Sequence, residues 1–177
     1  MDLLIVIFFV LGVCFGSFVN ALVWRIHEQS KPKKKRAASD KELSVVSGRS
    51  MCPNCKHTLS TKDLLPVISW LTLGGKCRYC SKPISWQYPS VEMLTALLFV
   101  VVYLSWPSNL DSWSFGIIQI GMFLSATVVG VALSVYDFKW MLLPDRLVKI
   151  FSGFAIIYAG LHIVNSVNKQ GSIFQLV

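Results

Sequence analysis

Residues 3–24 carry no charged side chain. As a helix such a stretch rises about 33 Å, enough to cross roughly 30 Å of hydrocarbon. Three later stretches share its character. Residues 91–106 form a shorter one, with Glu92 in its first turn. Residues 115–136 are uncharged, and residues 150–167 carry no charge unless His162 is protonated. The chain is 54% hydrophobic and only 15% charged, against about 25% charged in ordinary soluble domains. The expected fold class is therefore an all-α polytopic membrane protein with about four transmembrane helices. A cleaved signal peptide does not fit the first stretch. Signal sequences have a basic region before a run of roughly 7–15 apolar residues, whereas here Asp2 precedes a longer run and the basic residues follow it.

Charge placement sets an expected topology. Between Arg25 and Glu92 lie 13 of the 17 Lys and Arg and five of the nine acids, so the whole formal net charge of +8 resides there. Basic residues flanking spans stay in the cytoplasm. The N-terminus is then outside and the large loop inside, and Asp137 emerges on the cytoplasmic side among Lys139, Arg146 and Lys149. The basic balance is read as orienting this loop and attracting anionic lipid headgroups, not as a nucleic-acid surface.

Three regions follow: residues 1–26 as the first span, 27–90 as a basic linker plus a cysteine module, and 91–177 as the remaining spans. Residues 28–50 lack periodicity and read as a mobile linker. No internal repeat is evident. Residues 51–88 form a small module with little core of its own, which needs a metal, a disulfide or a partner to fold.

That module contains "CPNC" at 52–55 and "CRYC" at 77–80. Two such pairs can aim four thiolates at one tetrahedral ion. Disulfides are rare in the cytoplasm, so Cys52, Cys55, Cys77 and Cys80 are read as a structural zinc site. Four reduced, unliganded cysteines or a redox pair are the alternatives. All four positions would be filled by thiolate, leaving none open for substrate and no need for His57. Cys14 reads as a small packing residue.

Two further patterns stand out. Gly12, Gly16 and Asn20 recur every four residues and share a helix face, which suits either close helix approach with an interhelical hydrogen bond or a ligand site. Asp137, in "VYDFKWMLLPD" at 135–145, is a carboxylate at a span edge. It is either a marker of the interface or a catalytic group. In the first case Trp140 is a belt aromatic, Pro144 ends the helical path and Asp145 caps the next helix. An aspartic protease needs two carboxylates sharing a proton, and a local Asp137–Asp145 pair is not the favoured arrangement.

Taken in order, "GSFVNALVWRI" at 16–26, "CPNCKHTLSTKDLLPVISWLTLGGKCRYCSKPISWQYPSVEMLTALLF" at 52–99 and "DFKWMLLPD" at 137–145 resemble the type IV prepilin peptidases over roughly residues 12–165. The resemblance implies a multi-pass aspartic endopeptidase of the bacterial inner membrane. Such enzymes cut the leader from prepilins and pseudopilins on the cytoplasmic side. In many members they then methylate the new N-terminus with S-adenosylmethionine. It also implies zinc in the cysteine loop and maps the first catalytic aspartate onto Asp137, with Pro144 and Asp145 as structural companions. The family's second catalytic aspartate lies in a Gly-x-Gly-Asp motif that does not occur in these 177 residues. The expectation is accordingly of a chain cut before the second half of the dyad, with "GSIFQLV" at 171–177 marking where the next segment would begin. Methyl transfer alone, or a membrane-anchored zinc module that docks assembly partners, are the competing readings. Self-association is left open.

Overall fold

In the computed structural model, residues 2–45, 47–106 and 113–174 are described; the last three residues of the expected junction at 171–177 lie outside them. Among the described residues, five helices carry the fold: α1 (Asp2–Ser30), α2 (Ile68–Thr72), α3 (Gln87–Ser105), α4 (Trp113–Trp140) and α5 (Asp145–Phe174). Short 3-10 turns occupy Lys33–Lys35 and Thr61–Leu64. Among the described residues there is no β-strand, only the isolated bridges Met51–Thr58 and Lys76–Pro83. Helices α1, α3, α4 and α5 are each long and apolar enough to cross a membrane. The protein is an all-α polytopic membrane protein with its cysteine module between the first two spans.

The chain divides into two compact units, Met1–Leu104 and Ser105–Val177. In the first, α1 and α3 pack antiparallel along the glycine stripe. A Cβ added at Gly12 would sit 2.5 Å from the Cα of Ala96, and one at Gly16 would sit 2.6 Å from the Cα of Glu92. One turn further, the side-chain amide of Asn20 donates to the Tyr88 carbonyl at 3.0 Å. The face Gly12–Gly16–Asn20 thus meets Ala96, Glu92 and Tyr88, also four residues apart. Lipid tails are as apolar as leucine, so spans gain little by hiding apolar side chains from one another and associate through close backbone approach and interhelical hydrogen bonds. Rings of Phe8 and Tyr103 (4.7 Å) and of Phe15 and Phe99 (5.6 Å) extend the same seam. The small-residue reading of the stripe holds. Cys14, by contrast, is exposed rather than packed.

The segment expected to be a mobile linker is folded back on the end of α1. Arg25, itself buried, donates to the carbonyls of Val45 (3.2 Å) and Gly48 (3.0 Å), and Gln29 donates to that of Leu43 (2.9 Å). Leu43 is fully buried. The Glu28 carboxylate receives the Ala37 amide at 3.0 Å and pairs with Lys31. These are single side-chain-to-backbone contacts with no periodicity, so pattern reading could not detect them.

In the second unit, α4 and α5 form a helical hairpin whose buried hydrophobic residues, among those described, are Val128, Val131, Ala132, Tyr136 and Leu147. The turn between them departs from expectation. α4 ends at Trp140, where Met141 adopts a positive φ of 52° and its amide bonds the Asp137 carbonyl at 2.7 Å. Pro144 opens α5 instead of closing α4: its carbonyl receives the amides of Leu147 (2.9 Å) and Val148 (3.2 Å). Asp145 is the first helical residue of α5 rather than its cap, where a carboxylate is favoured by the positive end of the helix dipole.

Candidate metal centre and the carboxylate at the end of α4

The cysteine module is built from two copies of one ten-residue turn, at 51–60 and 76–85. The amide of Lys56 bonds the Cys52 carbonyl (2.9 Å), as that of Ser81 bonds Cys77 (2.9 Å). Cys52 donates to His57 (3.0 Å) as Cys77 donates to Lys82 (2.9 Å). Leu59 donates to Ser50 (2.9 Å) as Ile84 donates to Gly75 (2.7 Å). Lys56 and Ser81 share positive φ values of 60° and 54°. Every pair is offset by 25 residues, a repeat that was missed in the sequence because "MCPNCKHTLS" and "KCRYCSKPIS" agree at only the two cysteines and the last serine. What repeats is backbone geometry, and in the second turn the amides of Tyr79, Cys80 and Lys82 point at its sulfurs.

The four Sγ atoms of Cys52, Cys55, Cys77 and Cys80 lie within 4.8 Å of one another, with 3.9 Å between those of Cys52 and Cys80. Tetrahedral Zn–S bonds of about 2.3 Å put sulfurs about 3.8 Å apart, so the donor set fits a zinc ion. Electrostatics agree. Burial pushes the Cys77 thiol up, but the Tyr79 and Cys80 amides and the neighbouring sulfurs outweigh it and bring it to about 7. For Cys80 the Lys82 amide favours the thiolate, yet burial and the sulfurs of Cys77 and Cys55 push it up overall. Four sulfurs this close cannot all ionise without a cation between them. A bound zinc would supply a structural cross-link and no open coordination position. His57 stacks on Tyr79 at 3.7 Å and is not part of the sulfur cluster.

One residue the sequence did not single out ties the two turns together. Asp63, on the 3-10 turn after the first, accepts from the Ser60 hydroxyl (2.8 Å) and amide (3.2 Å). Its carboxylate also receives Arg78 Nε (2.7 Å) and the Tyr79 hydroxyl (3.0 Å), both from inside the second cysteine pair. The Arg78 guanidinium is the main reason that Asp63 is held down at about 2. The S-x-x-D spacing is the visible trace of this capping box.

Asp137 lies in the last turn of α4, and its residue is exposed. Tyr136 beside it is buried and packs on Trp140 at 4.6 Å, while Lys139 sits 5.0 Å over the Trp140 ring. Asp145 is also exposed.

Comparison with known proteins agrees with these features. Residues 10–106 match the family model described as the bacterial peptidase A24 N-terminal domain, nearly the extent of the first compact unit. The chain is 34% identical over 139 residues to the type 4 prepilin-like proteins leader peptide-processing enzyme of Escherichia coli O78:H11, covering 76% of this chain and 49% of that protein. It is 32% identical over 154 residues to the prepilin leader peptidase/N-methyltransferase of Vibrio cholerae, covering 87% and 56%. With the enzyme of that name from Myxococcus xanthus it shares 43% over 94 residues, covering 53% and 24%. The chain spans about half the length of most of these relatives. No solved structure matches it at comparable significance.

Proposed function

The chain belongs to the bacterial A24 peptidase family, and from that premise we propose that it contributes Asp137 to the catalytic dyad of a membrane aspartic endopeptidase that removes the leader peptide from type IV prepilins and pseudopilins. The observation that carries this reading is an exposed carboxylate in the last turn of a span-length apolar helix, whose only other charge is Lys139 in the same turn. A leader peptide anchored by an apolar segment presents its scissile bond at that level. In such a dyad one carboxylate takes a proton from the attacking water while the other, protonated, hydrogen-bonds the scissile carbonyl. Asp137 would fill one of these roles. The family resemblance assigns the other to a Gly-x-Gly-Asp motif.

The remaining parts follow from this assignment. The hairpin turn at 141–144 and the start of α5 at Asp145 fix the end of α4 that carries Asp137. Residues 27–90 form a cytoplasmic module, and the spans in 91–177 belong to the peptidase proper. The basic loop holds that module and Asp137 on the cytoplasmic side of the inner membrane. Methylation of the new N-terminus, with S-adenosylmethionine as donor, is the second activity in the names of the Vibrio and Myxococcus relatives. Transfer of labelled methyl to cleaved pilin tests it separately.

The peptidase reading is tested by joining this chain to the C-terminal half of the Escherichia coli relative and assaying prepilin cleavage in membranes. A fall in cleavage by about 10²–10⁴ with Asp137→Asn is expected. Cleavage that survives that change overturns the assignment.

A further inference from the structure

Between Lys62 and Lys76 the only ionisable side chain is Asp63, which is turned into the Arg78–Tyr79 clamp. Residues 64–75, "LLPVISWLTLGG", are twelve uncharged positions in a row. A run of that length is too short to span a bilayer and marks either a buried core helix or a re-entrant, interfacial segment. The core alternative fails on exposure. α2 turns Trp70 inward, against Trp86 (ring centroids 4.2 Å) and Gly75, with its indole N–H on the Ile84 carbonyl at 3.1 Å. Its opposite face, Ile68 and Leu71, is 57% and 62% exposed, and Leu65 beside it is 51% exposed.

The length of α3 indicates the depth of this face. That helix has 19 residues, about 28 Å of rise, so it needs almost its whole length to cross about 30 Å of hydrocarbon. Glu92 lies five residues in, about 7 Å below the end of the helix. It is 6% exposed, and its Oε2 receives the Val67 amide at 2.7 Å. Val67 immediately precedes α2 and holds a φ of 60°, a strained conformation for a β-branched residue. Irregular backbone at membrane depth persists only where its polar groups find partners inside the protein. Glu92 is such a partner, which also accounts for a buried carboxylate within a span.

We propose that residues 64–75 form a re-entrant interfacial loop, anchored through Val67 to Glu92, whose Leu65–Ile68–Leu71 face lies against the lipid acyl boundary. Trp86, 69% exposed and one residue before α3, then takes its place at the headgroup level, where tryptophan is enriched. Lys62 and Lys76 flank the loop on the aqueous side. This assignment is independent of the peptidase reading.

The test is hydroxyl-radical footprinting of the full wild-type chain reconstituted at low density in phosphatidylethanolamine–phosphatidylglycerol vesicles that contain no other protein. Oxidation of Leu65, Ile68 and Leu71 is expected to fall several-fold below that of Val45 and Leu59, which lie outside the loop. Equal oxidation of the two sets overturns the proposal. A photoreactive benzoylphenylalanine placed at Leu71 in native membranes identifies the occupant. Lipid adducts are expected, and adducts dominated by prepilin or another protein overturn the lipid assignment.

Discussion

Around the four cysteines, two turns repeat the same backbone hydrogen bonds and Asp63 ties one to the other, whereas Asp137 stands exposed at the end of a bare apolar helix. The first site is complete in thirty-five residues of sequence. On the proposed reading, the second is one carboxylate of a chemistry that needs two. The difference reflects what each must do. A structural metal has to close its coordination sphere with local ligands. A proteolytic carboxylate, as proposed for Asp137, has to stay open to a substrate and to a second acid.

The largest expected effect tests the closed site. Structural zinc contributes on the order of 10–16 kcal/mol to the folding of small modules. Chelation, or Cys52→Ser, should therefore unfold residues 51–85 and abolish zinc binding at one ion per chain, read by metal analysis. Circular dichroism should retain the helical signal of the spans. A Cys52→Ser chain that still holds one zinc with wild-type affinity would contradict four-sulfur coordination.

Next in size is the open site. Losing one acid–base group costs about 10²–10⁴ in rate, so Asp137→Asn in the joined enzyme should reduce prepilin cleavage by that factor. Zinc content and thermal stability should be unchanged. Parallel loss of zinc would mean that Asp137 acts on folding and not on chemistry.

How far these two sites were readable in the sequence follows from their physics. The four cysteines declare themselves because ligand spacing is a local constraint, and the spans do so because apolar length is. Glu92 read as a charge at the start of a span, and Asp63 was not singled out. Each acquires its role only through partners 25 and 15 residues away, Val67 and Arg78. The fold-back of residues 28–50 rests on Arg25 and Gln29 meeting backbone carbonyls, which no periodicity encodes. At the α4–α5 turn, Pro144 was read as a stop. A proline is equally at home just before or within a first helical turn, where its missing N–H costs nothing, and only the positive φ of Met141 decides between the two.

A smaller effect probes the seam that positions Glu92. Gly12→Ala places a Cβ 2.5 Å from a backbone atom of Ala96, whereas a Cβ at Gly121 or Gly153 meets nothing within 4 Å. Backbone cannot swing aside as a side-chain tip can, so Gly12→Ala should destabilise by about 1–3 kcal/mol. Gly121→Ala should be neutral or slightly stabilising, since alanine is the better helix former. Thermal unfolding in detergent distinguishes them, and equal melting temperatures would show that α1 and α3 are not in close contact.

The smallest effect concerns the clamp between the two cysteine turns. Arg78 is half exposed, so screening limits the ion pair to the few tenths of a kcal/mol up to about 1 kcal/mol usual for such contacts. Asp63→Asn should accordingly speed zinc release to a chelator only a few-fold. The pH dependence has a definite sign. A carboxylate held down at about 2 contributes fully above its ordinary value near 3.9, and that contribution is lost only as pH falls toward 2. Between about pH 6 and 8 the group stays ionised, so the ratio of release rates, variant to wild type, should be flat even though each rate itself varies as the thiols titrate. A ratio that changes across this interval would mean that Asp63 is coupled to the cysteine thiols themselves, and the clamp would then belong to the metal site instead of merely bracing it.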